Sequence, residues 1–278
     1  MARKADPSSK KYERVVPWRD LPDTALLRLA EHALRTMVRY TKHADLEVFE
    51  GELSEHRYPW HYHACYTIIF VERGSVVYQF QDTSIRVGGS EVLVVEPFHV
   101  HRNMITEHTR YSAIFVPREY LERAGNTTLA TQRSARPDVH QKAVALVQCI
   151  KEAASMNVVN ERLAALCGSI TDPLPGNEAI VPSRTSRVPA IDLDRRITEL
   201  AEEARLSKFH FQRSFKKKHG LTIGQLKRQA NSEKAKALLE RGGAPMDVAH
   251  EVGYFDQSHF IKYFKRMWAI TPDRFSKG

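Results

Sequence analysis

The sequence predicts an α+β, multidomain chain: an N-terminal antiparallel β-barrel or sandwich with flanking helices, followed by an all-α module with two helix-turn-helix units. Three observations predict it. Six short β-rich runs follow one another between residues 46 and 116 with no helix between them. Helical periodicity dominates after residue 190, and the whole excess of positive charge lies in that last third. The chain has 278 residues, above the ~100–200 typical of one domain, so two modules are expected. Its 42% hydrophobic and 27% charged residues are those of a globular protein, not of a disordered or fibrous one. No run approaches the ~18 apolar residues of a membrane span. The polar, basic start, Met1 to Asp20, lacks the apolar core of a secretory signal. Cys65, Cys149 and Cys167 are odd in number and widely spaced, which argues against a disulfide framework or a CxxC zinc site and points to a reducing cytoplasm.

Taken in order, residues 1–22 form a polar tail. Residues 23–44 read as a helix, because Leu26, Leu27, Ala30, Ala33, Leu34, Met37 and Val38 recur at helical spacing. From Leu46 the period changes. LEVFEGEL, YTIIFVE, SVVYQF, TSIRV, EVLVVE and YSAIFV are strand-like runs, separated by turn signals such as Arg73-Gly74-Ser75 and Gly88-Gly89-Ser90. The barrel is assigned to residues 45–120. Residues 121–170 read as a helical dimerisation or connecting region. Val139, Ala143, Leu146, Val147, Ile150 and Ala154 share one stripe that serves equally as core or as subunit contact. Pro173, Pro175, Pro182 and Pro189, with Gly176, mark residues 171–190 as a linker, since each proline removes a donor and fixes φ.

Residues 191–278 form the helical module. From Arg184 to Gly278 there are 20 Lys and Arg against 11 Asp and Glu, and the remainder holds 22 of each. A neutral domain is thus joined to one suited to a polyanion. Two segments there share one layout. Each has a short helix centred on an alanine (Ala201, Ala249), a tight turn, an N-cap (Ser207, Asp256), and a second helix with an aromatic stripe (Phe211 and Phe215; Phe260 and Phe264). The alanine lets the helices approach, and the second helix stands free to enter a major groove. Gln212, Arg213, Gln257 and Lys262 are residue types that pair with base edges or phosphates. Thr222 to Glu240 reads as one helix of about 19 residues, roughly 28 Å long, which suits two recognition helices about one DNA turn apart.

The segments LAEEARLSKFHFQRSFKKKHG, LTIGQLKRQANSEKAKALL and DVAHEVGYFDQSHFIKYFKRMWAITPDRF resemble the C-terminal DNA-binding domain of the AraC/XylS family of bacterial transcription regulators. The resemblance covers residues 197–275. It implies DNA contacts by Phe209, Gln212 and Arg213 in the first recognition helix and by Gln257, Ser258, Ile261 and Lys262 in the second, with Lys208, Lys216 and Lys217 beside them. It also implies a homodimer and RNA polymerase as a partner. Arg205 and Ala269 stand where the family usually has glycine, a residue suited to φ > 0. Ile261 and Lys262 replace a small polar residue and an arginine, so the second helix is expected to read sequence weakly.

Trp60-His61-Tyr62-His63, Arg73-Gly74, Gly88-Gly89 and Glu96-Pro97-Phe98-His99-Val100-His101 resemble, more loosely, the family's cupin-type regulatory barrel over roughly residues 45–118. Histidines at i and i+2 on a strand share a face, so His61, His63, His99 and His101 are expected to line one pocket, with Trp60, Tyr62 and Tyr66 at its mouth. Three readings remain open. A small-molecule effector is bound by Trp60, His61, His63, Tyr66, His99 and His101. A metal is bound by His61, His63 and His101, although Ala64-Cys65-Tyr66-Thr67-Ile68 lacks the carboxylate that metal-binding cupins carry. Or these histidines are structural.

The expected function is therefore sequence-specific DNA binding by a non-enzymatic, cytoplasmic regulator gated by a small-molecule effector, with no cofactor and no membrane. The alternatives are a metal-dependent cupin enzyme with an appended nucleic-acid-binding module, and a DNA-binding regulator that needs no effector.

Overall fold

A computed structural model describes residues 37–123, 129–180, 188, 191–193 and 195–277. The expected tail 1–22, the expected helix over 23–36, and residues 181–187, 189 and 190 of the expected linker lie outside the described residues.

Strands β1 (Met37–His43), β2 (Leu46–Leu53), β3 (His56–Arg57), β4 (Tyr66–Arg73), β5 (Ser75–Gln79), β6 (Ser84–Gly88), β7 (Val92–Val95), β8 (Arg102–Ile105) and β9 (Thr109–Val116) build the barrel, with β10 (Gln132–Ser134) and β11 (Asn177–Ala179) on one edge. The larger sheet has the order β1-β2-β9-β4-β7-β10-β11 and the smaller one β3-β8-β5-β6. Their pairings are antiparallel. Side chains alternate faces along a strand. On β4, Ile69 and Val71 therefore point into the barrel with Phe49, Tyr78, Phe80 and Tyr111. Tyr66, Ile68 and Phe70 point the other way.

That outer face is covered by α2 (Pro137–Lys151) and α3 (Met156–Thr171), after the short α1 (Arg118–Arg123). Val139, Ala143, Leu146, Val147 and Ile150 of α2 pack with Leu163 and Leu166 of α3 against the sheet. The apolar stripe of α2 is thus spent on the core. With both faces of β4 buried, each large side chain contributes about 1.5–3 kcal/mol, which is why its sequence is continuously apolar rather than alternating. Gly74 closes the β4–β5 turn at φ 78°; a Cβ there would lie 2.5 Å from the His108 carbonyl oxygen.

Two expectations are corrected. Residues 37–43 are strand, not helix: β1 pairs with β2 from Met37–Glu52 to His43–Leu46. Val38, Tyr40 and Thr41 favour a pleated surface, and pairing with a neighbouring strand outweighs the helical spacing of Met37 and Val38. Within the expected linker, Asn177–Ala179 adds to the sheet as β11 through Gln132–Ala179 and Ser134–Asn177. Strands β3, β8 and β10, two to four residues long, are too short to show a period.

The helical module comprises α4 (Ile197–Glu203), α5 (Lys208–His219), α6 (Ile223–Glu240), α7 (Pro245–Glu251), α8 (Gln257–Trp268) and α9 (Pro272–Ser276). The Ser207 hydroxyl accepts from His210 N–H at 3.3 Å and the Asp256 carboxylate from His259 N–H at 2.7 Å, so both are N-caps. Thr222 and Gln225 form a capping box at the start of α6. The two helix-turn-helix units repeat bond for bond: Leu206 N–H donates to Ala201 and Tyr254 N–H to Ala249, each at 2.9 Å. Arg205, at φ 54°, stands where the second unit has Gly253, at φ 81°.

Candidate functional site

The second helices of both units present cations outward. Neither α5 nor α8 contains an acidic residue. Lys208, Phe209, Arg213, Lys216 and Lys217 are exposed on α5, and Gln212 is half-buried. On α8, Gln257, Ser258 and Lys262 are exposed, while Ile261 is half-buried against the domain core. The turn before α8 is one residue longer than its counterpart. The extra residue, Phe255, is 99% exposed, an aromatic at the start of a recognition helix that the motif reading passed over.

The other feature is a cavity of about 550 Å³, its open mouth included, between the barrel and helices α6 and α8. Tyr40, Phe49, Tyr58, Tyr78, Tyr111 and Phe115 form the aromatic half of its barrel wall. Gln229, Glu233, Met267 and Trp268 come from the helical module. His61 and His101 are joined by reciprocal backbone bonds of 2.8 and 2.9 Å, which set their side chains together. Ring centroids are 4.4 Å apart for His61–His101, 5.0 Å for His61–His63 and 5.5 Å for His63–His101. One nitrogen from each ring lies within 4.8 Å of the other two.

The tautomers of two rings follow from their partners. His61 Nδ1 meets the Pro59 carbonyl at 2.7 Å and His101 Nδ1 meets the His99 carbonyl at 2.8 Å. A carbonyl only accepts, so each Nδ1 carries the hydrogen and each Nε2 the lone pair. Burial pushes the His61 imidazole down to about 4. Burial, reinforced by neighbouring imidazoles, holds His63 and His101 well below the ordinary range. Burial likewise raises the Tyr58, Tyr78 and Tyr111 phenols. These groups are therefore neutral near pH 7. Thr67 Oγ1, on the cavity wall, is buried with no hydrogen-bond partner among the described residues.

The expected pocket is thus assembled only in part. His61, His63 and His101 line the cavity; Trp60, Tyr66 and His99 do not. Trp60 lies under the Arg102 guanidinium at 4.8 Å and packs against the cluster that holds Phe215 of α5 and Leu226 of α6. Tyr66 faces the outer helices, because strand alternation turns Thr67 inward in its place. His99 bonds Thr131 Oγ1 at 2.8 Å and packs on Phe80. Phe98, at a positive φ of 63°, lies in the turn that leads into His99.

Polar groups on α6 tie the halves together. Gln229, 1% exposed, donates to the Tyr62 carbonyl at 2.6 Å and accepts from Tyr62 N–H at 3.2 Å. Lys236 pairs with Glu47 of β2. Its ammonium sits 4.6 Å from the Tyr40 ring and 4.7 Å from Trp268, a cation–π site. His56 Nε2–H donates to the Arg266 carbonyl at 3.0 Å, and the Tyr40 hydroxyl to that of Trp268 at 3.1 Å. The interruption of the apolar pattern of α6 by Gln229, Ser232 and Lys236 was the available sequence signal for this contact.

A barrel with a histidine- and aromatic-lined cavity, joined to two helix-turn-helix units with basic outward helices, defines a DNA-binding transcription regulator with a ligand-binding domain. Comparisons with known proteins agree. Residues 43–166 match the AraC-like ligand binding domain and residues 200–278 a helix-turn-helix domain. The uncharacterized HTH-type transcriptional regulator YbfI of Bacillus subtilis is 25% identical over 238 residues, covering 78% of this chain and 86% of that protein. The probable transcription factor PqrA of Proteus vulgaris is 35% identical over 84 residues, covering 30% of this chain and 69% of its own. The chain belongs to the AraC/XylS family of transcription regulators. ToxT of Vibrio cholerae shares the fold: one crystal structure superposes with a TM-score of 0.56 at 11% identity, covering 86% of this chain and 99% of that one. Among the described residues no helix is long and apolar enough to cross a membrane.

Proposed function

We propose that this regulator binds its operator through α5 and α8, and that a small molecule in the cavity sets how readily it does so. The observation that carries the effector reading is the cavity wall itself, built from the barrel and from α6 and α8 together. A ligand there contacts both halves, so it favours one relative arrangement over others, which is the condition for coupling. The largely aromatic lining, with Glu233 as its one acidic side chain, suits a small, largely apolar molecule with a few hydrogen-bonding groups. In a ToxT crystal structure of the same fold, with a TM-score of 0.54 and 10% identity, an unsaturated fatty acid is bound, and that supports an apolar class of ligand. The relatives are transcription regulators, which supports a binding rather than a catalytic cavity. We place the protein in the cytoplasm as a homodimer that works with RNA polymerase, as its family membership suggests.

Lys208, Phe209, Gln212, Arg213, Lys216 and Lys217, with Gln257, Ser258, Ile261 and Lys262, are proposed as the DNA contacts. Arg213→Ala tests this. Loss of one bidentate base contact costs about 1–3 kcal/mol, so operator affinity falls roughly 5- to 150-fold while binding to random duplex changes little. Unchanged operator affinity would remove α5 from the interface. Thermal-shift screening of the full chain against small carboxylic acids and aromatic metabolites tests the effector, since a ligand selective for the native state raises Tm.

A further inference from the structure

We propose that His61, His63 and His101 form a binding site for a divalent transition-metal ion of the Fe(II)-to-Zn(II) range, with coordination positions left open toward the cavity. The site goes beyond the effector reading and stands whether or not an organic ligand enters.

Several independent features converge on it. One nitrogen of each imidazole already lies within 4.8 Å of the others. Metal–nitrogen bonds are about 2.0–2.1 Å, which sets bound nitrogens roughly 3.3 Å apart, so small rotations of the three rings close the set. The Nδ1–H groups of His61 and His101 are held by the carbonyls of Pro59 and His99. This is the outer-shell arrangement that fixes a metal-binding imidazole with its Nε2 lone pair available. Two lone-pair nitrogens cannot hydrogen-bond each other, so a shared cation or a hydrogen-bond donor in the cavity would take them up. Both rings are almost fully buried, at 5% and 1% exposure. On the same wall, the Thr67 hydroxyl is buried without a partner among the described residues and is suited to an ion-bound water or anion.

The donor set also defines the chemistry. Three neutral imidazoles suit Zn, Fe, Ni or Cu rather than Mg or Ca, and among the described residues the cluster includes no carboxylate. The ion therefore keeps its full dipositive charge and attracts an anionic ligand to its open positions. Glu233, the one acidic residue among the cavity-lining side chains, belongs to α6. Lys236 already has Glu47 as its partner.

The test uses the full-length protein, stripped with a chelator and titrated with Zn(II) against a chromophoric competitor and, separately, with Co(II) and Cu(II). The expected result is one ion per chain, a visible Co(II) absorption band, and nitrogen hyperfine structure from three imidazoles on Cu(II). His63→Ala, at the half-buried member of the set, should weaken Zn(II) binding by more than the ~10–100-fold that loss of an outer-shell partner costs. His250→Ala, an exposed residue, should leave it unchanged. Absence of stoichiometric binding by the native chain overturns the proposal, as does fewer than three nitrogens on copper or binding that survives in His63→Ala. The spectra of the native chain decide even where a variant folds poorly, and none of these readouts depends on DNA or on an organic effector.

Discussion

Arg205 and Ala269 hold left-handed backbone angles, φ 54° and 58°, which cost an L-residue roughly 1–2 kcal/mol. Glycine relieves that strain but returns about 0.4–1 kcal/mol to the unfolded chain. At Arg205, which is exposed, the balance favours substitution: Arg205→Gly should raise stability by up to ~1 kcal/mol in a denaturant titration. Ala269 is 2% exposed and packs into the barrel core. Removing its methyl forfeits about 0.8 kcal/mol more, so Ala269→Gly should be close to neutral. His56 supplies a pH-dependent counterpart. Burial lowers it to about 4, against the smaller opposing effect of its bond to the Arg266 carbonyl, and Lys265 and Arg266 lower it further. Unfolded, it titrates near ~6.5, so between those values the unfolded chain binds more protons. Its contribution is present above that window and is lost as pH falls through it. Unfolding midpoints measured from pH 7 to 4 should therefore depend less steeply on pH in His56→Gln than in the native chain.

Among the elements, α6 and α8 carry the most information. α6 buries two faces of opposite character. Leu226, Ala235 and Leu239 face the helical cores, and Gln229 and Lys236 face the barrel. A helix that on sequence grounds spaces two recognition helices is also the floor of the cavity. α8 depends on its cap: Asp256→Ala removes the bond to His259 N–H and should cost about 1 kcal/mol in thermal unfolding, with weaker DNA binding as the first turn frays. Phe255 touches little of the protein, so Phe255→Ser should leave the unfolding midpoint within the ~0.5 kcal/mol usual for exposed positions.

Across the whole molecule, Lys236 is the clasp between effector-binding and DNA-binding halves. Glu47 and Lys236 are 17% and 11% exposed at their side chains, so removing one partner leaves a buried charge, worth about 3 kcal/mol. Lys236→Met should loosen the halves, seen as faster hydrogen exchange along β2 and α6, whereas Glu47→Gln combined with Lys236→Met should recover most of the protection. DNA affinity should fall steeply with salt, because Lys216, Lys217 and their neighbours release counterions on meeting phosphates.

Much of this was legible locally. The β-runs, the caps at Ser207 and Asp256 and the paired alanines each depend on a few adjacent residues, and periodicity and cap chemistry report such things directly, whereas the positive φ at Arg205 was implied by the family resemblance. The histidine cluster was legible only in part: spacing grouped His61 with His63, but the same argument enlisted His99, which bonds Thr131 and packs on Phe80 instead. The sequence by itself determined the class of protein, the two helix-turn-helix units and the exposed cations of their second helices, but not that Gln212 and Ile261 are half-buried. Only the tertiary structure decided that residues 37–43 join a sheet, that Thr67 faces the cavity while Tyr66 and His99 do not, and that α6 and α8 complete its wall. Those outcomes depend on strand pairing and on packing between segments nearly 200 residues apart, and no local pattern encodes which distant surface a side chain will meet.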